Sequence, residues 1–96
     1  MNITKTINGT QLLVTISGRL DTSTAPQFEE FMAGNISKID ALTLDCAELD
    51  YVSSAGLRVL LAVQKRLKGA FKLKNVCELV MEVFEMTGFA DILVIE

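Results

Sequence analysis

The feature that most constrains this chain is a change of apolar period in its middle. The run Ala41-Leu42-Thr43-Leu44-Asp45-Cys46 reads as a short buried strand, and soon after it Leu57, Leu60, Leu61, Val63 and Leu67 recur at helical spacing. A strand that hands over to an amphipathic helix and then to a further strand closes most simply as a right-handed crossover, which builds a parallel sheet with its helices packed on it. The rest of the chain repeats this unit. Residues 3–7 and 11–16 flank Asn8-Gly9, which predicts an opening hairpin with a type I′ turn. The second strand ends at Gly18. A first helix follows, with Thr24 and Gln27 in the capping-box pattern, Pro26 in the first turn, a buried stripe of Phe28, Phe31 and Met32, and a stop around Gly34-Asn35.

After the helix at the centre, Lys65-Arg66-Leu67-Lys68-Gly69 places basic residues in the last turn and a glycine at a left-handed stop. Residues 71–76 alternate as a strand whose lysines face water, near an edge of the sheet. A third helix over 77–87 is expected to bury Leu79, Val80, Val83 and Phe84 and to stop at Gly88, and residues 92–95 read as a last short strand. The expectation is a single α/β domain over 1–96, an N-terminal hairpin followed by repeated strand–helix units. Sites in such sheets form at the carboxyl ends of the strands. Two polar loops should meet there, one from Asp21 to Thr24 and one from Asp50 to Gly56.

Composition removes several kinds of chemistry. The chain has no histidine, so Ser-His-Asp and Cys-His arrangements and the usual histidine-containing zinc sites are absent. Cys46 and Cys77 are too few and too far apart for a metal cluster or a disulfide framework; both read as packing, although Cys77 near a helix start is where a thiolate would be stabilised. Asp45 and Asp50 lack further ligands, so no metal and no cofactor is expected. Nine basic against twelve acidic residues give a net charge of −3, which argues against a nucleic-acid footprint. The alternating start Met1-Asn2-Ile3-Thr4-Lys5 is not a signal peptide and no run is long enough to enter a bilayer, so a cytoplasmic location is expected.

Chemistry therefore concentrates on Ser53-Ser54-Ala55-Gly56, between strand and helix. A hydroxyl there can cap the free N–H groups of the first turn, and Gly56 can permit close packing. A phosphate at the same place, bound or covalently attached, would lie at the positive end of the helix dipole. An enzyme nucleophile is not indicated: the Gly-x-Ser-x-Gly elbow is missing and no obvious base would activate the serine. The glycine spacing also matches neither the Walker pattern nor the dinucleotide fingerprint. Arg58, four residues after Ser54 on the same helix face, reads equally as a partner for a phosphate, a partner for another protein's carboxylate, or a solvated surface residue.

The run Asp50-Tyr51-Val52-Ser53-Ser54-Ala55-Gly56-Leu57-Arg58-Val59-Leu60-Leu61 resembles the signature of the STAS family, in particular bacterial anti-sigma factor antagonists. Gly18-Arg19-Leu20-Asp21 with Thr24-Ala25-Pro26 resembles the family's first loop and helix start. Asn75-Val76 and Val83-Phe84-Glu85-Met86-Thr87-Gly88-Phe89 resemble its last helix and exit. The resemblance implies a binding protein rather than an enzyme. Its partner would be an anti-sigma factor that is also a serine kinase; phosphorylation would separate the pair, and a metal-dependent serine/threonine phosphatase would reset the cycle. Anchoring on Gly56 and Leu57 implies Ser54 as the acceptor, where the preceding position, usually aspartate, is Ser53. It further implies a partner surface of Asp21, Thr22, Ser23, Ser53, Ser54, Ala55, Gly56 and Arg58. The alternative within the family is an unphosphorylated module that binds a nucleotide, a small anion or another protein.

Overall fold

The apolar pattern resolves into β1 (Asn2–Asn8), β2 (Gln11–Leu20), α1 (Ala25–Asn35), β3 (Ala41–Val52), α2 (Ser54–Leu67), β4 (Phe71–Lys74), α3 (Glu78–Thr87) and β5 (Val94–Ile95). In this computed structural model, which describes residues 1–96, the five strands form one sheet in the order β1-β2-β3-β4-β5. Strands β1 and β2 are antiparallel and every later pair is parallel, the expected α/β architecture. Leu12, Val14 and Ile16 of β2, Leu42, Leu44 and Cys46 of β3, and Phe71 and Leu73 of β4 point to one face and are buried. They meet Phe28 and Met32 of α1, Leu57, Val59, Leu60 and Val63 of α2, and Val80 and Phe84 of α3 in one cluster. The alternate positions, Thr43, Asp45, Lys72 and Lys74, remain half-buried or exposed on the other face. Right-handed crossovers stepping in one direction place all helices on the same side, which explains this one-sided core.

The largest departure from expectation is β3. It runs to Val52, although the apolar run suggested a strand over 41–46 followed by a loop. Its buried positions are 42, 44 and 46, then 49, then 52, so the period of two slips twice. The pairing with β2 slips at the same places, from Thr15↔Asp45 to Ser17↔Glu48 and from Gly18↔Leu49 to Arg19↔Tyr51. Each slip is one extra residue on β3, a bulge. Two bulges turn strict alternation into steps of three, and a strand signal vanishes from the sequence while the strand persists.

Smaller corrections have local causes. Asn8 pairs with Gln11, so the hairpin loop is Gly9-Thr10, and only Gly9 has positive φ (65°). That is the type II′ pattern, with glycine first, rather than type I′. Strand β4 stops at Lys74 because Asn75 is left-handed (φ 58°), and its amide donates to Asp45 Oδ1 at 3.0 Å. It lies one strand in from the edge, as expected; the edge strand β5 spans only Val94–Ile95 rather than 92–95. The stop after α2 falls on Lys68 (φ 55°) rather than Gly69, because the chain turns back at once through residues 68–70 to bury Phe71. Phe31, Leu61, Leu67 and Val83 are only half-buried, Leu79 and Ile92 are exposed, and Val59 joins the core.

Candidate functional site at the start of the second helix

The parallel pairing of β2 with β3 ends at Leu20↔Val52, so the two loops that follow leave the sheet side by side. Ser53 N–H donates to the Leu20 carbonyl at 2.9 Å, tying the second loop to the first. Gly56 explains how closely they approach. A Cβ on it would lie 2.7 Å from Leu20 Cγ and 2.8 Å from the Leu20 carbonyl oxygen, so any side chain there must displace the strand end. Gly56 is buried and contributes spacing rather than surface.

The two serines divide their work. Ser53 is the N-cap of α2: its backbone is extended, its carbonyl accepts the first helical hydrogen bond from Leu57 N–H at 2.9 Å, and its hydroxyl accepts from Gly56 N–H at 3.5 Å. Ser54 is the first helical residue and is exposed. Its hydroxyl is therefore free of the capping duty. The N–H groups of Ser54 and Ala55 belong to the first turn, whose donors have no intrahelical partner. Ala55 is half-buried and lines a recess of about 290 Å³ with Thr22, Ala25, Pro26, Glu29, Arg58 and Val59. Thr22 and Arg58, from the two loops' sides, thus face one depression.

The first loop is organised by Asp21. Its Oδ1 accepts from Ser23 N–H (3.0 Å), Ser23 hydroxyl (2.8 Å) and Thr24 N–H (3.2 Å), and its carbonyl accepts from Ala25 N–H at 2.8 Å. The Ser23 hydroxyl bond, helped by these backbone bonds and opposed by partial desolvation, holds the Asp21 carboxyl down at about 2. Thr24 is the N-cap of α1 by position, but the capping box with Gln27 does not form. Its hydroxyl turns back instead, donating to the Arg19 carbonyl (2.6 Å) and accepting from Asp21 N–H (2.9 Å), while Gln27 reaches the Met1 carbonyl.

Arg19 and Tyr51 belong to this rim and were not legible as such. The Arg19 guanidinium lies 4.4 Å above the Tyr51 ring and 3.5 Å from Asp21 Oδ2, the chain's one ion pair. The bulges decide that these two residues are neighbours, and no spacing in the sequence reveals it. Arg58, by contrast, is exposed and pairs with no carboxylate.

The remaining candidates are occupied elsewhere. Cys46 is fully buried, and desolvation pushes its thiol up to about 12, so it is no nucleophile. Cys77 caps α3 by position, half-buried, with its thiol donating to the Leu49 carbonyl at 3.5 Å. Asp45 is held below the ordinary carboxylate range mainly by the Asn75 amide, and Asp50 is exposed within β3. No three His, Cys, Asp or Glu side chains come together as a metal site.

Comparison with known proteins identifies the family and the fold. The family model described as Mlab, STAS domain matches residues 3–95. BtrV of Bordetella bronchiseptica, provisionally named an anti-sigma factor antagonist, is 40% identical over 85 residues, covering 84% of this chain and 73% of its own. The anti-sigma-B factor antagonist of Bacillus subtilis is 29% identical over 96 residues, covering 97% and 88%. Among solved structures, the anti-sigma factor antagonist SpoIIAA of Bacillus superposes in its unphosphorylated form with a TM-score of 0.83 at 17% identity, over 99% of this chain and 88% of that one. Its phosphorylated form superposes with a TM-score of 0.74 at 15% identity, over 99% and 91%. The hairpin and the parallel strand–helix repeats are thus the fold of these solved structures, and the chain belongs to the STAS domain family, among relatives named as anti-sigma factor antagonists.

Proposed function

We propose that this chain is an anti-sigma factor antagonist that works by partner switching, with Ser54 as the phosphate acceptor. The unmodified chain binds an anti-sigma factor that is itself a serine kinase, using Asp21, Thr22, Ser23, Ser53, Ser54, Ala55 and Arg58, with Gly56 setting the spacing of the two loops. The sigma factor is thereby released. The kinase transfers the γ-phosphoryl group of ATP to the Ser54 oxygen, ADP leaves, and the hydroxyl proton is lost. A serine/threonine phosphatase hydrolyses the ester and restores the binding form. The chain supplies a surface and an acceptor, not a catalytic group.

One observation carries this reading: Ser54 is exposed in the first turn of α2 while Ser53 performs the cap. The relatives' names support the binding role. The physics of the modification supports the switch. A phosphate adds about −1.5 to −2 charges at neutral pH. At a helix N-terminus that charge is favoured by roughly 0.3–1 kcal/mol, so the modified chain stays folded. The penalty falls on the complex, where the dianion is desolvated against a site that already handles nucleotide phosphates. Each 1.4 kcal/mol of such penalty weakens binding about tenfold, so a few kcal/mol releases the partner.

The test is incubation with the cognate kinase and ATP, with mass spectrometry locating the phosphate. Ser54 is expected to carry it, and Ser54→Ala to remain unmodified; phosphate on Ser53, or none, overturns the assignment. Ser54→Asp is expected to bind the kinase at least tenfold more weakly with an unchanged cooperative melt, and equal affinity would rule out charge as the release mechanism.

A further inference from the structure

The recess beside Ser54 continues away from it. Below the first depression lies a second, of about 170 Å³, floored by Met32, Ala33, Ile36, Ala62 and Val63 and edged by Arg66; Glu29 and Val59 line both. Together they make one groove between α1 and α2. From Ala55 to Arg66 it follows α2 for eleven residues, about 16 Å at the helical rise. Its floor is apolar, its α2 wall carries Arg58 and Arg66, and its α1 wall carries Glu29.

A second surface on the chain has the complementary character. Helix α3 leaves Leu79 and Met86 exposed, at 53% and 87%, one above the other at a spacing of seven. Around them stand Glu78, Glu82 and Glu85, and α3 contains no basic residue. Helix α2 is the reverse, with Arg58, Lys65 and Arg66 and no acid. The chain's whole net charge of −3 equals the charge of α3, the remaining nine acids balancing the nine bases. None of these opposed charges pairs within the molecule, whose one ion pair is Arg19–Asp21. An apolar helix edge with one acidic flank and an apolar groove with a basic wall are left without partners on the same chain.

We propose that these two surfaces are the halves of a head-to-tail contact between copies of this chain. The exposed Leu79 and Met86 edge of one copy seats in the α1–α2 groove of the next. Its glutamates face Arg58 and Arg66, about 12 Å apart along α2, with Glu78 and Glu85 about 10 Å apart along α3. Glu29 on the opposite wall fixes the orientation by repelling the acidic side. The two surfaces differ, so the contact is heterologous, and each added copy exposes a new groove and a new α3. The charged rim makes the contact salt-sensitive, and its small size makes it weak.

Sedimentation equilibrium over roughly a hundredfold range of concentration tests this, since mass action fixes how the average mass must rise. The mass should climb at low salt and fall back when salt is added. Met86→Lys spoils α3 and Arg66→Glu spoils the groove; both positions are exposed, so folding is not at stake. Each variant alone should associate at least tenfold more weakly. Mixed, they should form a heterodimer that stops at two chains, because one keeps its groove and the other its α3. The proposal is overturned by a wild-type chain that stays monomeric, by association that neither variant weakens, or by a mixture that fails to pair. Binding of the anti-sigma factor that weakens in Arg66→Glu, with wild type monomeric, would assign the groove to that partner instead.

Discussion

At the scale of single residues, the junction separates two serines that are chemically the same. Ser53 is half-buried, with extended backbone and a hydroxyl bonded to the Gly56 amide, whereas Ser54 is exposed. Ser53→Ala is expected to lower stability by about 0.5–1 kcal/mol, toward the small end for caps because the bond is long. Ser54→Ala should change stability by less than about 0.5 kcal/mol, as exposed substitutions do. Urea unfolding of the two variants checks the difference, and a Ser54→Ala loss equal to that of Ser53→Ala would mean both hydroxyls hold the helix. The spacing Ser-Ser-Ala-Gly places the pair correctly but leaves open which member caps. That is decided by backbone angles, which depend on where β3 ends.

At the scale of elements, the loop between β2 and α1 is held by one carboxylate. Asp21 accepts from Ser23 and Thr24, and its proton affinity is depressed to about 2 from an ordinary value near 3.8. A depressed carboxylate stabilises the folded state above the unfolded-state value, and that contribution is lost as pH falls from there through about 2. The loop should therefore keep its form at pH 4 and loosen only on further acidification. Amide chemical shifts of Ser23 and Thr24, followed by NMR during acid titration, report this directly. In Asp21→Asn the low-pH transition of those amides should disappear, and a transition that persists would place its origin elsewhere. The motif Asp21-Thr22-Ser23-Thr24 signals a turn by composition, yet the capping box predicted for Thr24 with Gln27 is unmade. Thr24 has a better acceptor in the Arg19 carbonyl, brought within reach by the curl of the loop.

At the scale of the molecule, a core of 21 buried residues joins all three helices to one sheet face, so the phosphate proposed at the head of α2 is expected to act at the surface and leave the packed core as it is. The proposed switch is thus a surface event, and the core beneath it is expected to stay rigid. Cys46 offers an internal probe of that rigidity: it is fully buried with its thiol raised to about 12, whereas Cys77 is half-buried. A neutral-pH thiol reagent should label Cys77 first, and label Cys46 only at the rate of global opening. Equal labelling rates would mean that α3 lifts off the sheet on its own. No helix of the chain is long and apolar enough to cross a membrane.

What the amino-acid order determined by itself is the succession of elements, the parallel architecture and the position of the serine junction. These depend on local signals, the periods of two and 3.6, caps and turn residues, which nearby residues write along the chain. What only the tertiary structure decided is the far half of β3, the Arg19–Tyr51 stack and the burial of Gly56 against Leu20. Each depends on register between distant segments. Two bulges moved that register by one residue apiece, and a one-residue slip exchanges the faces of everything beyond it.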